Sequence, residues 1–255
     1  MSEFRILSLP QLISWPVDGS ALSFIDVYDW DQLKLNPNST VSLSIKIELC
    51  SGFFPCTLFL IGHDSAVMYR SYNGSISCLR SLGCNSMIVE KLQLSCGSPD
   101  YSLMPVLEVQ GARLSIFASV FNNCNSRSDG SFVLAYGGAE LYINSSSFNG
   151  CHSSGFGGAL SFVDSNTYVF NTTVQMCTAD KGGGAIWASF YHDYQINSSK
   201  SMLFELVLEF CIFKDCSSIE AGGGILISSQ SSRQTDVAHL GIISSAFFNC
   251  SSGIT

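Results

Sequence analysis

The chain has 255 residues, enough for one elongated domain or two small ones around a continuous core. Hydrophobic residues make up 46% and charged residues 13%, and the formal net charge is −8 with no run of Lys or Arg, so no basic footprint for nucleic acid is present. No apolar run reaches the roughly 18 residues of a membrane helix, and the abundance of Ser and Gly suits short strands and tight turns rather than a helical bundle.

Met1–Gly19 carries Glu3, Arg5 and two prolines and lacks the uninterrupted apolar core of a signal peptide, so no export signal is expected from it. Residues 1–35 fit no repeat, and residues 1–40 are read as an N-terminal cap region. Asp26, Asp29 and Asp31 within it lack calcium-loop spacing and read as a solvated turn. Val41–Leu49 alternates apolar and polar residues without a fault and predicts one half-buried strand. Further strands are expected at Thr57–Ile61, Ala66–Tyr69, Ser75–Leu79, Met87–Leu94 and Val106–Gln110, separated by turn signals such as Gly62 and Asn73-Gly74.

From Leu114 the pattern becomes regular. Phe-x-x-Cys occurs at Phe121/Cys124, Phe148/Cys151, Phe213/Cys216 and Phe247/Cys250, and Val174/Cys177 is the same unit with valine. Gly-Gly pairs follow at Gly137-Gly138, Gly157-Gly158, Gly183-Gly184 and Gly223-Gly224. The cysteines step by 27, 26, 39 and 34 residues. A repeat of this length is one supersecondary unit that cannot bury its own apolar face, so copies must stack. Strand patterning with no helical period between copies leaves a parallel β-helix, about eight coils over residues 41–255, with equivalent residues stacked about 4.8 Å apart. Phe121, Phe148, Val174, Phe213 and Phe247 are expected to form an internal ladder, worth on the order of 2 kcal/mol per buried side chain. Cys124, Cys151, Cys177, Cys216 and Cys250 form a second ladder if a bend separates each from its phenylalanine. The Gly-Gly pairs supply turns with φ > 0 or close backbone approach.

Ser-x-Phe-x-x-Cys followed by Gly-Gly-Ala-Leu or Gly-Gly-Ala-Ile resembles the repeat of the polymorphic outer-membrane protein family, over roughly residues 87–255. That family is described by Phe-x-x-Asn and Gly-Gly-Ala-Ile tetrapeptides. The resemblance implies a right-handed parallel β-helix of the pectin-lyase-like superfold and a cell-surface or extracellular location. Two departures stand out: cysteine holds the Asn position, and neither a signal peptide nor a C-terminal barrel is recognisable. Stacked cysteines are spaced for disulfides, yet small apolar cysteines also pack well as free thiols, and free thiols are expected. Eleven cysteines is an odd number, so at least one lacks an intrachain partner.

The candidate contact residues lie where the period is exceeded. Tyr191, His192 and Tyr194 fall in the first insertion and Arg233 in the second, and solenoid insertions often map to a binding face. A longer strand or an idle surface loop is the plainer reading of the same residues. Six sequons, at Asn38, Asn73, Asn144, Asn171, Asn197 and Asn249, mark candidate glycosylation sites of a secreted protein. A hydrolase on this fold needs clustered carboxylates, whereas Glu140, Asp164, Asp180, Asp193, Asp215 and Glu220 are scattered, and Gly62-His63-Asp64 has no partner in register. Cys151-His152 is no catalytic pair, because neighbours on a strand face opposite ways. His192 and His239 lie far apart in sequence, and only stacking of coils would bring them closer. No Cys-x-x-Cys is present, so no zinc site, cofactor or metal is expected.

The leading functional expectation is a non-catalytic structural or adhesive module of a larger surface protein, binding a protein or glycan. The alternatives are a polysaccharide-active β-helix enzyme and a truncated repeat fragment. The last coil opens at Phe247 without its Gly-Gly half, so an open C-terminal end with edge-to-edge self-association is expected.

Overall fold

The computed structural model describes residues 86–96, 104–192, 203–231 and 237–253, together with the backbone of eight shorter strands between Leu12 and Leu82. Among the described residues there is no helix, and the strands assemble into four parallel sheets of nine, eight, eight and five strands, here sheets I to IV. One coil shows the plan. Arg113–Phe117 lies in sheet I, Val120–Asn122 in sheet II, Asn125–Ser126 in sheet IV and Val133–Tyr136 in sheet III, and Glu140–Asn144 returns to sheet I beside Arg113–Phe117. From Arg113 the chain visits the four sheets in this order, the earlier described strands run through sheets I, II and III, and each coil moves one strand along, an arrangement consistent with a parallel β-helix. Pairing extends into the first 40 residues, where Leu12–Ser14 pairs Asp31–Lys34 in sheet I and Phe24–Asp26 pairs Lys46–Leu49 in sheet III.

The core runs along the axis. Phe121, Phe148, Val174, Phe213 and Phe247 stack in register, and Leu94 continues the row below Phe121. The Phe121 and Phe148 rings stack at 4.9 Å, and both meet Phe132 edge-on. Phe247 departs from the expected internal ladder: it is 42% exposed, because only Phe213 covers it and no described coil lies beyond. Leu240 and Ile242 of the same coil are exposed for the same reason, although their equivalents Leu206 and Leu208 are buried.

The bend between each Phe and Cys is a residue with positive φ: Asn123, Gly150, Met176, Asp215 or Asn249. One left-handed residue breaks the two-residue alternation, so side chains three apart both turn inward. A second corner, between sheets I and II, stacks Ala118, Ser145, Asn171, Phe210 and Ser244, again with positive φ. The residue after each is Ser119, Ser146, Thr172, Cys211 or Ser245. The Ser146 Oγ accepts from Ser119 N at 3.2 Å and donates to Asn144 O at 2.9 Å, and Ser245 Oγ accepts from Cys211 N at 3.0 Å. The serine two residues before Phe121, Phe148 and Phe247 is therefore a corner hydroxyl that satisfies an amide of the neighbouring coil, whereas Phe213 has Cys211 at that place.

Four expectations are corrected. Val41–Leu49 is not one strand: Thr40–Leu43 belongs to sheet II and Lys46–Leu49 to sheet III. Met87–Leu94 is likewise two strands, Ser86–Glu90 and Gln93–Cys96, divided at Lys91 with φ 52°. In Val41–Leu49 the apolar and polar alternation of the sequence runs on across the break, so a period of two cannot reveal it, whereas in residues 86–96 the buried residues are Met87, Val89, Leu92 and Leu94, and the alternation shifts by one at Lys91. Gly137-Gly138 does not align with the other glycine pairs. It stands between sheets III and I, whereas Gly130, Gly157, Gly183 and Gly222 stack at the entry to sheet III, all with positive φ. Gly223-Gly224 is out of step by one: Gly223 stacks on Gly184 and Gly224 takes the place of Ala185.

Candidate functional site

Sheet I alternates an inward row of Leu114, Leu141, Thr167, Leu206 and Leu240 with outward residues on either side. One outward row consists of Arg113, Glu140, Asn166, Glu205 and His239, one residue per coil. The next outward row is Ser115, Tyr142, Tyr168, Val207 and Gly241. Together they form a polar and aromatic strip about four strand spacings long, roughly 19 Å.

Its members are held by one another. Arg113 donates from Nε and Nη2 to Glu140 Oε2, at 3.0 and 2.6 Å, and the contact raises the guanidinium pKa. Tyr142 and Tyr168 stack at 5.1 Å with planes 9° apart, and Tyr142 is 38% exposed. The Tyr168 hydroxyl donates to Glu205 Oε2, the other Glu205 oxygen meets His239 Nδ1 at 3.1 Å, and Glu205 N donates to Asn166 Oδ1 at 3.0 Å. The bond to Glu205, then burial, then the carboxylate charge push the Tyr168 hydroxyl up to about 12. The bonds from Tyr168 and His239 hold Glu205 below the usual carboxylate range.

A raised folded-state pKa contributes stability that is whole below the ordinary tyrosine value near 10 and lost as pH rises through about 12. The Glu205 contribution runs the other way, present above the ordinary carboxylate value and lost as pH falls through its lowered one. In an absorbance titration at alkaline pH, Tyr168→Phe is expected to remove one late-titrating tyrosine, with midpoint near 12. An unchanged late phase would show that Tyr168 does not bond Glu205 in solution.

The residues singled out by sequence fall elsewhere. Tyr191 and His192 end strand Ile186–His192, paired through the backbone with Gln230 and Ser231. The two insertions therefore lengthen the strands that flank them: Ile186–His192 and Leu203–Glu209 around the first, and Ile225–Ser231 and Val237–Ile243 around the second, each have seven residues, against four or five in the preceding coils. Tyr194, Asp193, Arg233 and Gly62-His63-Asp64 lie outside the described residues, as do the sequons at Asn38, Asn73 and Asn197. Asn144, Asn171 and Asn249 are exposed, with Asn171 and Asn249 at positive-φ corners. His192 and His239 do not share a row, since they belong to sheets III and I.

On sheet IV, His152 Nδ1 bonds Thr178 Oγ1 at 2.7 Å while Asp180 Oδ1 stands 3.7 Å from Nε2, too far for a strong orienting bond. Asp164, Asp215 and Glu220 lie away from the strip, at corners or in loops. Among the described residues no three His, Cys, Asp or Glu side chains converge as metal ligands.

Cys124 corrects the free-thiol expectation: it forms a disulfide with Cys96, with Cα atoms 4.9 Å apart. Cys96 lies one residue out of register with the ladder, beneath the Asn123 corner, so the ladder spacing did not include it. Cys151, Cys177, Cys211, Cys216 and Cys250 are free thiols. Burial raises the Cys177 thiol far above its ordinary value.

Glu205 was not among the scattered acids, yet it stands in the row. A signal for it exists in the sequence. Counting back eight residues from Phe121, Phe148, Val174, Phe213 and Phe247 gives Arg113, Glu140, Asn166, Glu205 and His239. Counting back six gives the tyrosine row. The insertions precede each sheet I strand, so backward counting from the ladder avoids them.

No protein-family model matches the chain, and no curated protein or solved structure matches it. No helix among the described residues is long and apolar enough to cross a membrane.

Proposed function

We propose that this chain is a non-catalytic adhesive module, a right-handed parallel β-helix resembling the polymorphic outer-membrane protein repeat, which binds a glycan along the outer strip of sheet I. The observation that carries the reading is the Tyr142–Tyr168 stack beside a row of hydrogen-bonding side chains repeated coil by coil. Sugar rings stack on aromatic faces while their hydroxyls take bonds from flanking amides, carboxylates and guanidinium groups. The row supplies donors and acceptors at the strand spacing, which suits an extended chain of repeating units. Right-handedness is supported by the preference of parallel crossovers for that hand. An extracellular or cell-surface location is supported by the Cys96–Cys124 disulfide and by exposed Asn144, Asn171 and Asn249. The unpaired edge of Val237–Ile243 and the exposed Leu240, Ile242 and Phe247 favour edge-to-edge association at that end.

One observation favours the polysaccharide-active alternative: Glu140 and Glu205 share a row two strands apart, about 10 Å along the sheet. Their partners count against it. An acid–base pair needs one carboxyl held protonated near neutral pH, but Glu140 is tied to Arg113 and Glu205 is held below its usual range.

Glycan-array binding decides between the readings. The wild-type chain is expected to retain a set of polysaccharides that Tyr142→Ala loses at least tenfold, while Glu205→Gln leaves them uncleaved as before. Turnover of polygalacturonate or a related glycan that disappears in Glu205→Gln would overturn the non-catalytic reading. Glycan binding unchanged in Tyr142→Ala would remove sheet I as the binding face.

A further inference from the structure

The cysteine ladder is used by nothing in the proposed binding face, and its members are not equivalent. Cys151, Cys177 and Cys216 are buried, whereas Cys250 in the last described coil is partly open to solvent. Cys216 and Cys250 occupy the same place on adjacent strands: Phe213 pairs Phe247 before them, Ser217 pairs Ser251 after them, and Ser251 N donates to Cys216 O at 3.0 Å. Parallel strands in register hold their Cα atoms about 4.8 Å apart, inside the range a disulfide spans. The Cys250 Sγ leans towards the preceding coil, within 3.6 Å of Phe213 O. At the other end of the ladder, neighbouring coils are already joined through Cys96 and Cys124 at a Cα separation of 4.9 Å.

We infer that Cys216 and Cys250 form a redox-responsive disulfide that staples the exposed end coil to the body of the solenoid. The chemistry is thiol–disulfide exchange with a small disulfide such as oxidised glutathione. The Cys250 thiolate attacks one glutathione sulfur, the first glutathione leaves as thiolate, and a mixed disulfide remains on Cys250. Cys216 then loses its proton, attacks the Cys250 sulfur and expels the second glutathione. Two protein thiols are oxidised by two electrons, and one glutathione disulfide is reduced to two thiols. Attack starts at Cys250 because the oxidant cannot reach Cys177 or Cys216 directly. Burial raises the Cys250 thiol as well, which makes the exchange slow near neutral pH and faster as pH rises.

The test is mass mapping of the full chain after incubation with oxidised glutathione, with free thiols alkylated after denaturation. The expected result is a peptide pair linking Cys216 to Cys250, before or after the incubation, with Cys151 and Cys177 still alkylated. Cys250→Ser is expected to lose the link and leave Cys216 alkylated, and the link is expected to raise the urea midpoint of the end coil. A persistent glutathione adduct on Cys250, a Cys177–Cys216 link, or two thiols still free after prolonged oxidation would each overturn the inference. Because Cys250 is partly exposed, serine there leaves the core intact, so loss of the link cannot be ascribed to unfolding.

Discussion

Gly184→Ala is expected to destabilise the chain by about 3 kcal/mol or more, at the upper end for inserting one carbon into a packed site. The cause is space. A Cβ at Gly184 would overlap the carbonyl oxygens of Gly223 and Ser217, both of the next coil. These are backbone atoms, so no side chain can swing aside. Gly223 lies over Gly184, and Ser217 is the sheet IV residue against which the turn folds back. Gly158 meets the same obstruction one coil earlier, from Gly184 and Thr178, so the constraint recurs in neighbouring coils. Gly138→Ala is the control. Gly138 has φ 80° but nothing within 4 Å of its Cβ position, so only backbone strain of about 1–2 kcal/mol applies. A urea titration should separate the two variants clearly. Equal midpoints would mean that the close approach of the second glycine to the next coil does not exist in solution.

That contrast shows what a glycine pair reveals in sequence and what it hides. Gly137-Gly138 and Gly183-Gly184 look alike, yet one is an open corner and the other a contact between coils. The true partner of Gly157-Gly158 in the earlier coil is Gly130-Ser131, followed by Phe132, where only the first glycine is kept. Ser131 carries a Cβ at that place, and its hydroxyl donates to Gly158 O at 2.5 Å. Phe132 in the place of Ala159 fills the core beside Phe121 and Phe148. Space demands the second glycine at Gly158 and Gly184 but not at Ser131, and that difference cannot be read from a two-letter motif.

The stacked parallel fold was legible because the ladder steps forced it: apolar residues recurring once per coil can be buried only by stacking. Strand boundaries were less legible where corners use Lys91, Ala118, Met176 or Phe210 at positive φ, since none of these is a turn residue by type. The strip on sheet I was hidden for a different reason. Its residues are ordinary singly, and the 39- and 34-residue steps conceal that Glu205 and His239 continue a row begun at Arg113. Attention to the insertions found the place where the period changes. The candidate site lies instead on the face that the insertions leave in register.

Phe148→Ala is expected to cost about 4 kcal/mol, and Phe247→Ala, the same substitution in the same row, about 1 kcal/mol. Phe148 has a stacked ring on one side, an edge contact from Phe132 and Val174 on the other side, and no exposure. Removing it leaves a cavity that coils on both sides cannot close, because each is fixed by its own parallel hydrogen bonds. Phe247 has one stacked neighbour, Phe213 at 4.8 Å, and is 42% exposed, so truncation opens no enclosed void. In a solenoid each coil is stabilised mainly by its nearest neighbours; an interior lesion weakens two interfaces and a terminal one weakens a single interface. Urea midpoints at a common slope measure the difference. A large loss for both would mean that another surface covers Phe247 in solution, which edge-to-edge association through Val237–Ile243 would provide. A midpoint that rises with protein concentration in the wild type and not in Phe247→Ala would identify that association.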